Sequence, residues 1–432
     1  MSETTKPNYD NLPFIAVPKA ANEFVVGWDK IAAQLQAALT KTRAPKPILV
    51  VECQPGVDEV AVLNELQTRL APKLTIHAAE SYHSPERIDK LVAPFLAGDH
   101  PEFGRVYDSS LVTFFDAEPL WRFRRTIDEL KGGLVLIVGC GASLIAWGDL
   151  LVHASLAPRE AQQRLQQNES CIFGANNQAL SANLKHKRAR FVDWPVADRW
   201  KRPLIKRWDY VLDTHTPHEP QLASAEDVRL GLEAATKRPL RLVPFSNLNS
   251  GTENYGLRLD CVPNESSLLL GFSDQRLELP ATDLFFNQPR ALLGEAVYAR
   301  FGDEFPIRFD LKKLLANHFE PLIRGDGWRQ ERMSSPENQF IEIRRHWFNK
   351  TTPHHTHGGL NVLNLVQGDE AIVGSPTNAF EPFVVHHAET FIVPAAVGRY
   401  TIRPHGPSVG QELATVKAFV RPVASAPVPN VS

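Results

Sequence analysis

The feature that most limits what this chain can fold into is a change of hydrophobic period near residue 240. Before it, apolar runs without alternation read as strands: PILVVE (47–52), KLTIHAA (73–79), GGLVLIVGCG (132–141) and DLLVHASL (149–156). Between them, residues 24–40, 57–70, 84–96 and 117–130 carry helical spacing. RARFVDWP (188–195) reads as a further strand, then a helix near 197–207 and the strand DYVLDT (209–214) close the series. Strands apolar on both sides need helices on both faces, so residues 24–214 are expected to form a doubly wound α/β domain. After residue 240 the runs shorten and alternate with period two, as in YGLRLDCV, QRLELPA, QFIEIRRHWF, LNVLNLVQGDEAIV, FEPFVVHH, GRYTIRP and ATVKAFVRP. Residues 311–332 look mixed and partly helical. The spacing suits an all-β sandwich or barrel. The expected division is a leader over 1–23, the α/β domain over 24–214, and a linker and helix over 215–237. A β region over 238–423 and a tail over 424–432 follow.

Charge and composition narrow the partners. The 432 residues are 43% hydrophobic and 22% charged, enough for an ordinary core in each domain. A formal charge of −2 supplies no general pull on nucleic acid or an anionic membrane. The longest apolar runs fall well short of the roughly 20 residues of a spanning helix. The N-terminus MSETTKPNYDNLP lacks a signal-peptide pattern. Cys53, Cys140, Cys171 and Cys261 form no CxxC pair and read as reduced thiols. A cytoplasmic protein, without nucleic-acid or membrane partners, is the expectation.

The loop after the first strand is where a nucleotide-binding P-loop would carry GxxxxGK[ST]. Here it reads Cys53-Gln54-Pro55-Gly56-Val57-Asp58-Glu59, with one Gly, no Lys and no Ser or Thr. Two carboxylates stand where phosphate would lie and would repel it. A basic run, Arg199, Lys201, Arg202, Lys206 and Arg207, reads either as a phosphate contact or as a solvated face.

Long ordered blocks carry a family resemblance. VECQPGVDEVAVLNEL, PERIDKLVAPFL, FGRVYDSSLVTFFD and RFVDWPVADRWKRPLIKRWDYVLDT resemble the uridine kinase-like domain fused ahead of some phosphomannose isomerase homologues. RPLRLVPF (238–245), DCVPNESSLLLGF (260–272), QPRALLGEAVYARFGDEFPIRFD (288–310), LIRGDGWRQERM (322–333), VLNLVQGDEAIV (362–373) and ETFIVPAAVGRY (389–400) resemble the class I phosphomannose isomerases, which are cupins. The resemblance implies a P-loop-kinase-like domain followed by a reduced cupin jelly roll. That family isomerises an aldose phosphate to a ketose phosphate with a zinc held by a Gln and a His of a QVHP-type segment, a Glu and a further His. Here FPIRFD (305–310) runs straight into LKKLLANHFEPLIRGDGW, without that segment. SNLNSGTENYG (246–256) replaces the family's PWGG-type loop. No catalytic residue carries over, and His318 reads as a surface or cap histidine.

One local pattern has cupin chemistry. The general first cupin motif, HxHx3–4Ex6G, is matched by His355 and His357, with Asn361 in the Glu slot and Gly368 at the right distance. Two imidazoles two residues apart on a strand share a face, as a metal requires. The second motif's His is missing, and His387 is the nearest substitute as a third ligand, ahead of His386 and His405. Zinc, iron, manganese and nickel all fit such a set. The same residues also read as a His-rich turn, TTPHHTHGG. Three functions stay open: a non-catalytic relative that binds a sugar phosphate or nucleotide or assists assembly, as a homo-oligomer or otherwise; a metal-dependent isomerase using the C-terminal cupin; and a purely structural interaction protein.

Overall fold

The computed structural model describes residues 14–17, 24–96, 104–167, 173–174, 180–242, 256–261, 266–271, 319–333 and 341–420. By compactness the chain forms two units, residues 14–231 with 253–296, and residues 1–13, 232–252 and 297–432. Residues 256–261 and 266–271, read above with the β region, therefore cluster with the α/β unit.

In that unit, β1 (Phe14–Ala16) and β2 (Val25–Val26) precede α1 (Trp28–Thr42), β3 (Ile48–Cys53), α2 (Glu59–Leu70) and β4 (Leu74–His77). Next come α3 (Pro85–Leu96), α4 (Ala117–Glu129), β5 (Val135–Gly139), α5 (Ala142–Ile145), β6 (Leu150–Ser155) and α6 (Pro158–Gln166). Then α7 (Ala182–Arg188), α8 (Trp194–Leu204), β7 (Tyr210–Asp213), β8 (Gln221–Ser224) and α9 (Ala225–Ala235) follow. The sheet order is β2-β8-β7-β6-β3-β5-β4, with β7, β6, β3, β5 and β4 parallel. β8 pairs antiparallel with β7 and with the edge strand β2, so the expected linker includes a strand of this sheet.

Alternation along β3 assigns its faces. Leu49, Val51 and Cys53 join Ile31, Leu35 and Leu66 from α1 and α2 in one core. Glu52 points to the other face and meets Ser143 of α5. Helices cover both faces, as the apolar strands require.

RARFVDWP is not a strand. α7 passes through one π turn, Ala189–Asp193, into α8. Ala189, Val192 and Val196 are buried at helical spacing. Pro195 sits in the first turn of α8, next to a hydrogen-bond ladder the π turn has already interrupted.

The second unit is antiparallel β. It begins with β9 (Leu240–Leu242). The short strands β10 (Gly256–Cys261) and β11 (Ser266–Gly271) instead form a separate sheet with β1, which runs parallel to β10. β12 (Phe319–Gly325), β13 (Trp328–Met333), β14 (Ile341–Phe348), β15 (Thr352–His355) and β16 (Asn361–Gln367) continue the chain. β17 (Glu370–Gly374), β18 (Phe383–His386), β19 (Thr390–Val393), β20 (Arg399–Pro404) and β21 (Leu413–Val420) complete it. One sheet has the order β12-β13-β14-β21-β16-β19-β9 and the other β15-β20-β17-β18. Phe348, Leu363, Leu365, Val373, Phe391, Ile402 and Leu413 from both sheets share a core. Residues 319–332 are a hairpin rather than partly helical, because Asp326-Gly327 is a hairpin turn and Gly327 takes φ +73°. Residues 311–318, His318 and the junction after Asp310 lie outside the described residues.

Candidate functional site

Two clusters of buried polar groups stand out, one in each unit. The first lies at the C-terminal ends of β3 and β5, where open α/β sheets bind ligands. Asp58 caps α2, its carboxylate accepting from the Ala61 N–H at 2.9 Å. Glu59 accepts from the Cys140 N–H at 2.8 Å and pairs with His77 Nε2 at 2.8 Å. That bond with Glu59 raises the His77 pKa. The helix N-terminus that would face phosphate is thus supplied with protein carboxylates.

Glu52 accepts from the Gly141 N–H at 2.5 Å, the Ser143 N–H at 2.9 Å and the Ser143 hydroxyl at 2.5 Å. Trp200 Nε1 donates to the same hydroxyl at 3.1 Å. Burial outweighs these bonds and pushes the Glu52 pKa up to about 7. A cavity of about 10 Å³ beside it is lined by Glu52, His153, Asp198, Trp200 and Lys201, and holds at most one water. Burial also raises the Cys53 and Cys140 thiols, which keeps them protonated and inert. The basic run is not one solvated face. Lys201 turns inward to Asp198 at 3.1 Å, Arg199 donates to the Tyr107 and Ser109 carbonyls, and Arg207 stacks on Trp147 at 4.0 Å.

The second cluster fills the sandwich of the β unit. Of the three histidines singled out from sequence, His355 and His357 lie at the end of β15, whereas His387 follows β18 at the opposite edge of the four-stranded sheet. The His355 and His357 rings are 4.5 Å apart, and His355 Nδ1 accepts from the His357 N–H at 2.7 Å. His357 is exposed, with φ +50°, and His387 is exposed after β18. Among the described residues, no group of three or more His, Cys, Asp and Glu side chains is arranged to hold a metal ion. The side chains that enter the sandwich are one register away. His354 and Thr356 are buried at 5% and 4% exposure. Strand alternation makes a one-residue difference decisive, because it exchanges the inner and outer faces. Asn361, in the Glu slot, spends its amide donors on the His355 carbonyl at 3.0 Å and the Tyr400 hydroxyl at 2.9 Å.

Inside, imidazoles stack. His346 of β14 and His354 of β15 have ring centroids 4.3 Å apart, and His354 stacks on Tyr400 of β20 at 5.0 Å. Gln330 of β13 contacts His346 Nε2 at 2.6 Å through its Nε2, and its Oε1 accepts from Arg344 at 3.3 Å. Arg344 also pairs with Glu342 at 2.6 Å. Lys417 of β21 sits beside Arg344 in register. Both His354 nitrogens, His346 Nδ1 and the Thr352 and Thr415 hydroxyls are buried without a hydrogen-bond partner among the described residues. Native interiors leave only a few such groups per hundred residues, so five on β14, β15 and β21 make this interior a candidate for a bound partner. Burial holds both imidazoles neutral by pulling their pKa values well down, and lowers Lys417 to about 8.

Sequence reasoning missed this cluster although part of its signal was present. In ATVKAFV, Thr415, Lys417 and Phe419 alternate with Ala414 and Val416, which puts a lysine on the same face as core Leu413. A charged residue in that phase is the clue. The pairing of Gln330 with His346 and of His354 with Tyr400 depends on strand register and has no local signature.

Residues 27–237 match a protein family described as "Domain of unknown function (DUF8485)". No curated protein matches the chain. Solved structures similar to a part of it include vicilin from Corylus avellana (hazelnut), 20% identical over 25% of this chain and 33% of its own, with a TM-score of 0.21. The oxalate decarboxylase of Lactobacillus farciminis, in a formate complex, is 16% identical over 25% of this chain and 32% of its own, with a TM-score of 0.22. The mannose 6-phosphate isomerase of Bacillus subtilis is 11% identical over 23% of this chain and 27% of its own, with a TM-score of 0.19. The matched stretch therefore spans about a third of the first two chains and about a quarter of the isomerase. No helix among the described residues is long and apolar enough to cross a membrane.

Proposed function

We propose that this protein is an isomerase-like binding protein, and that its β unit, a cupin-type jelly roll, holds a small polar anion between its two sheets. Sugar phosphates are the class that the isomerase resemblance implies. The observation that carries the reading is the group of unpartnered buried imidazole and hydroxyl groups beside Lys417. Such groups cost free energy unless something bonds to them, and a ligand supplies those bonds. The α/β unit gives the expected kinase-like scaffold no support of its own, and Asp58 and Glu59 at the α2 terminus speak against phosphate transfer there. The family's Gln-His-Glu-His zinc set has no counterpart among the described residues, so no step through a metal is derived.

A second reading places a metal at His355 and His357, whose rings are close; His387, the expected third ligand, is not grouped with them. Thermal melts across sugar phosphates and nucleotides, with an assay for mannose 6-phosphate to fructose 6-phosphate conversion in added divalent metals, separate the two. Stabilisation by an anion without turnover is expected. Turnover abolished by His355→Ala would replace the binding reading with the enzymatic one, and no shift with any anion would leave a structural role.

A further inference from the structure

Charge inside the sandwich is unbalanced. Arg344 is matched by Glu342 at 2.6 Å. Lys417 is 5% exposed, and its ammonium has no hydrogen bond or ion pair among the described residues; the Phe419 ring lies 5.3 Å away, and the Glu342 carboxylate that pairs with Arg344 also acts on it electrostatically. Arg344 lies over the same ring at 4.9 Å. The interior polar end therefore carries one uncompensated positive charge.

The hydrogen-bond network also fixes which groups are donors. Arg344 donates to Gln330 Oε1 at 3.3 Å, which turns the Gln330 Nε2 toward His346 Nε2 at 2.6 Å. An amide nitrogen can only donate, so His346 Nε2 accepts and the ring proton sits on Nδ1. That Nδ1–H has no acceptor among the described residues. His354 carries at least one ring N–H in either charge state, and neither of its nitrogens is bonded among the described residues. An ammonium and two imidazole N–H donors come from β21, β14 and β15, with Thr415 opposite His346 in register and Thr352 two residues before His354 on the same face of β15.

We propose that this interior takes a small hydroxylated carboxylate, its single charge set against Lys417 and its oxygens accepting from His346 Nδ1 and the His354 N–H, in preference to a phosphate ester. The proposal rests on the binding reading above and narrows it. A phosphate monoester carries about −1.5 to −2 at pH 7 and would bring a second charge that nothing described there neutralises. Leaving charge uncompensated in a buried place costs several kcal/mol, whereas a carboxylate closes the balance. The free hydroxyls of Thr352 and Thr415 match ligand hydroxyls, which both donate and accept.

Isothermal titration of the full chain at pH 7 with D-gluconate, glucose 6-phosphate and glucose tests it. Gluconate is expected to bind at least about tenfold more tightly than either of the others. Lys417→Met should abolish that preference. His354→Gln, a smaller perturbation of packing, should weaken gluconate at least about tenfold if the lysine variant does not fold. Glucose 6-phosphate binding as tightly as gluconate would overturn the carboxylate assignment and leave the binding reading standing. Glucose matching gluconate would overturn the role of charge. Gluconate binding untouched by both variants would overturn the location, and no heat with any of the three would overturn both proposals.

Discussion

Glu52→Gln gives a quantitative test of how the α/β unit is built. Burial raises the Glu52 pKa from 4.5 to about 7, against the opposing hydrogen bonds from Gly141 and Ser143. The folded chain therefore keeps a proton that the unfolded chain releases between pH 4.5 and about 7. The contribution is fully present below the unfolded pKa and is lost as pH rises through the folded one. A shift of roughly 2.5 units corresponds to about 3 kcal/mol. For a unit of this size that is about 6–12 °C in Tm. Gln cannot ionise, so its pH profile should lack this fall. At low pH the variant should be weaker by about 1–3 kcal/mol, because the amide nitrogen meets the Ser143 N–H, another donor. Calorimetry of both proteins from pH 4.5 to 8 should show two curves that converge as pH rises. Parallel curves would refute the assignment of a buried proton to Glu52.

Lys417→Met should raise stability near neutral pH while removing the anion's charge partner. The lysine's depressed pKa means that wild type gains up to about 3 kcal/mol as pH rises from 8 toward 10.5, a gain the variant should lack in chemical denaturation. Phe391→Ala, at a fully buried position between the two sheets, should cost about 3–5 kcal/mol by the same measurement. Metal analysis of tag-free protein should find only trace zinc, iron, manganese or nickel. Stoichiometric metal that disappears in His355→Ala would support the His355, His357 and His387 site instead.

The strands β3, β5 and β6 were legible because burial on both faces leaves an uninterrupted apolar run, a property of the local sequence alone. The acidic loop at Asp58 and Glu59 was legible for a related reason, since the residues that exclude phosphate are contiguous. The π turn through Ala189–Asp193 was not, because Pro195 resembles a helix breaker until the neighbouring ladder is seen to be interrupted already. The histidines divide in the same way. The sequence by itself determined that a His-rich strand would enter a β sandwich near residue 355 and that a lysine would share the core phase of the last strand. Only the tertiary structure decided that His354 rather than His355 faces inward, and that it meets His346, Tyr400 and Lys417 there. The physical reason is that period-two alternation allows either face to be the inner one, and the choice is made by pairing with strands 46 residues ahead in the chain, as His354 with Tyr400.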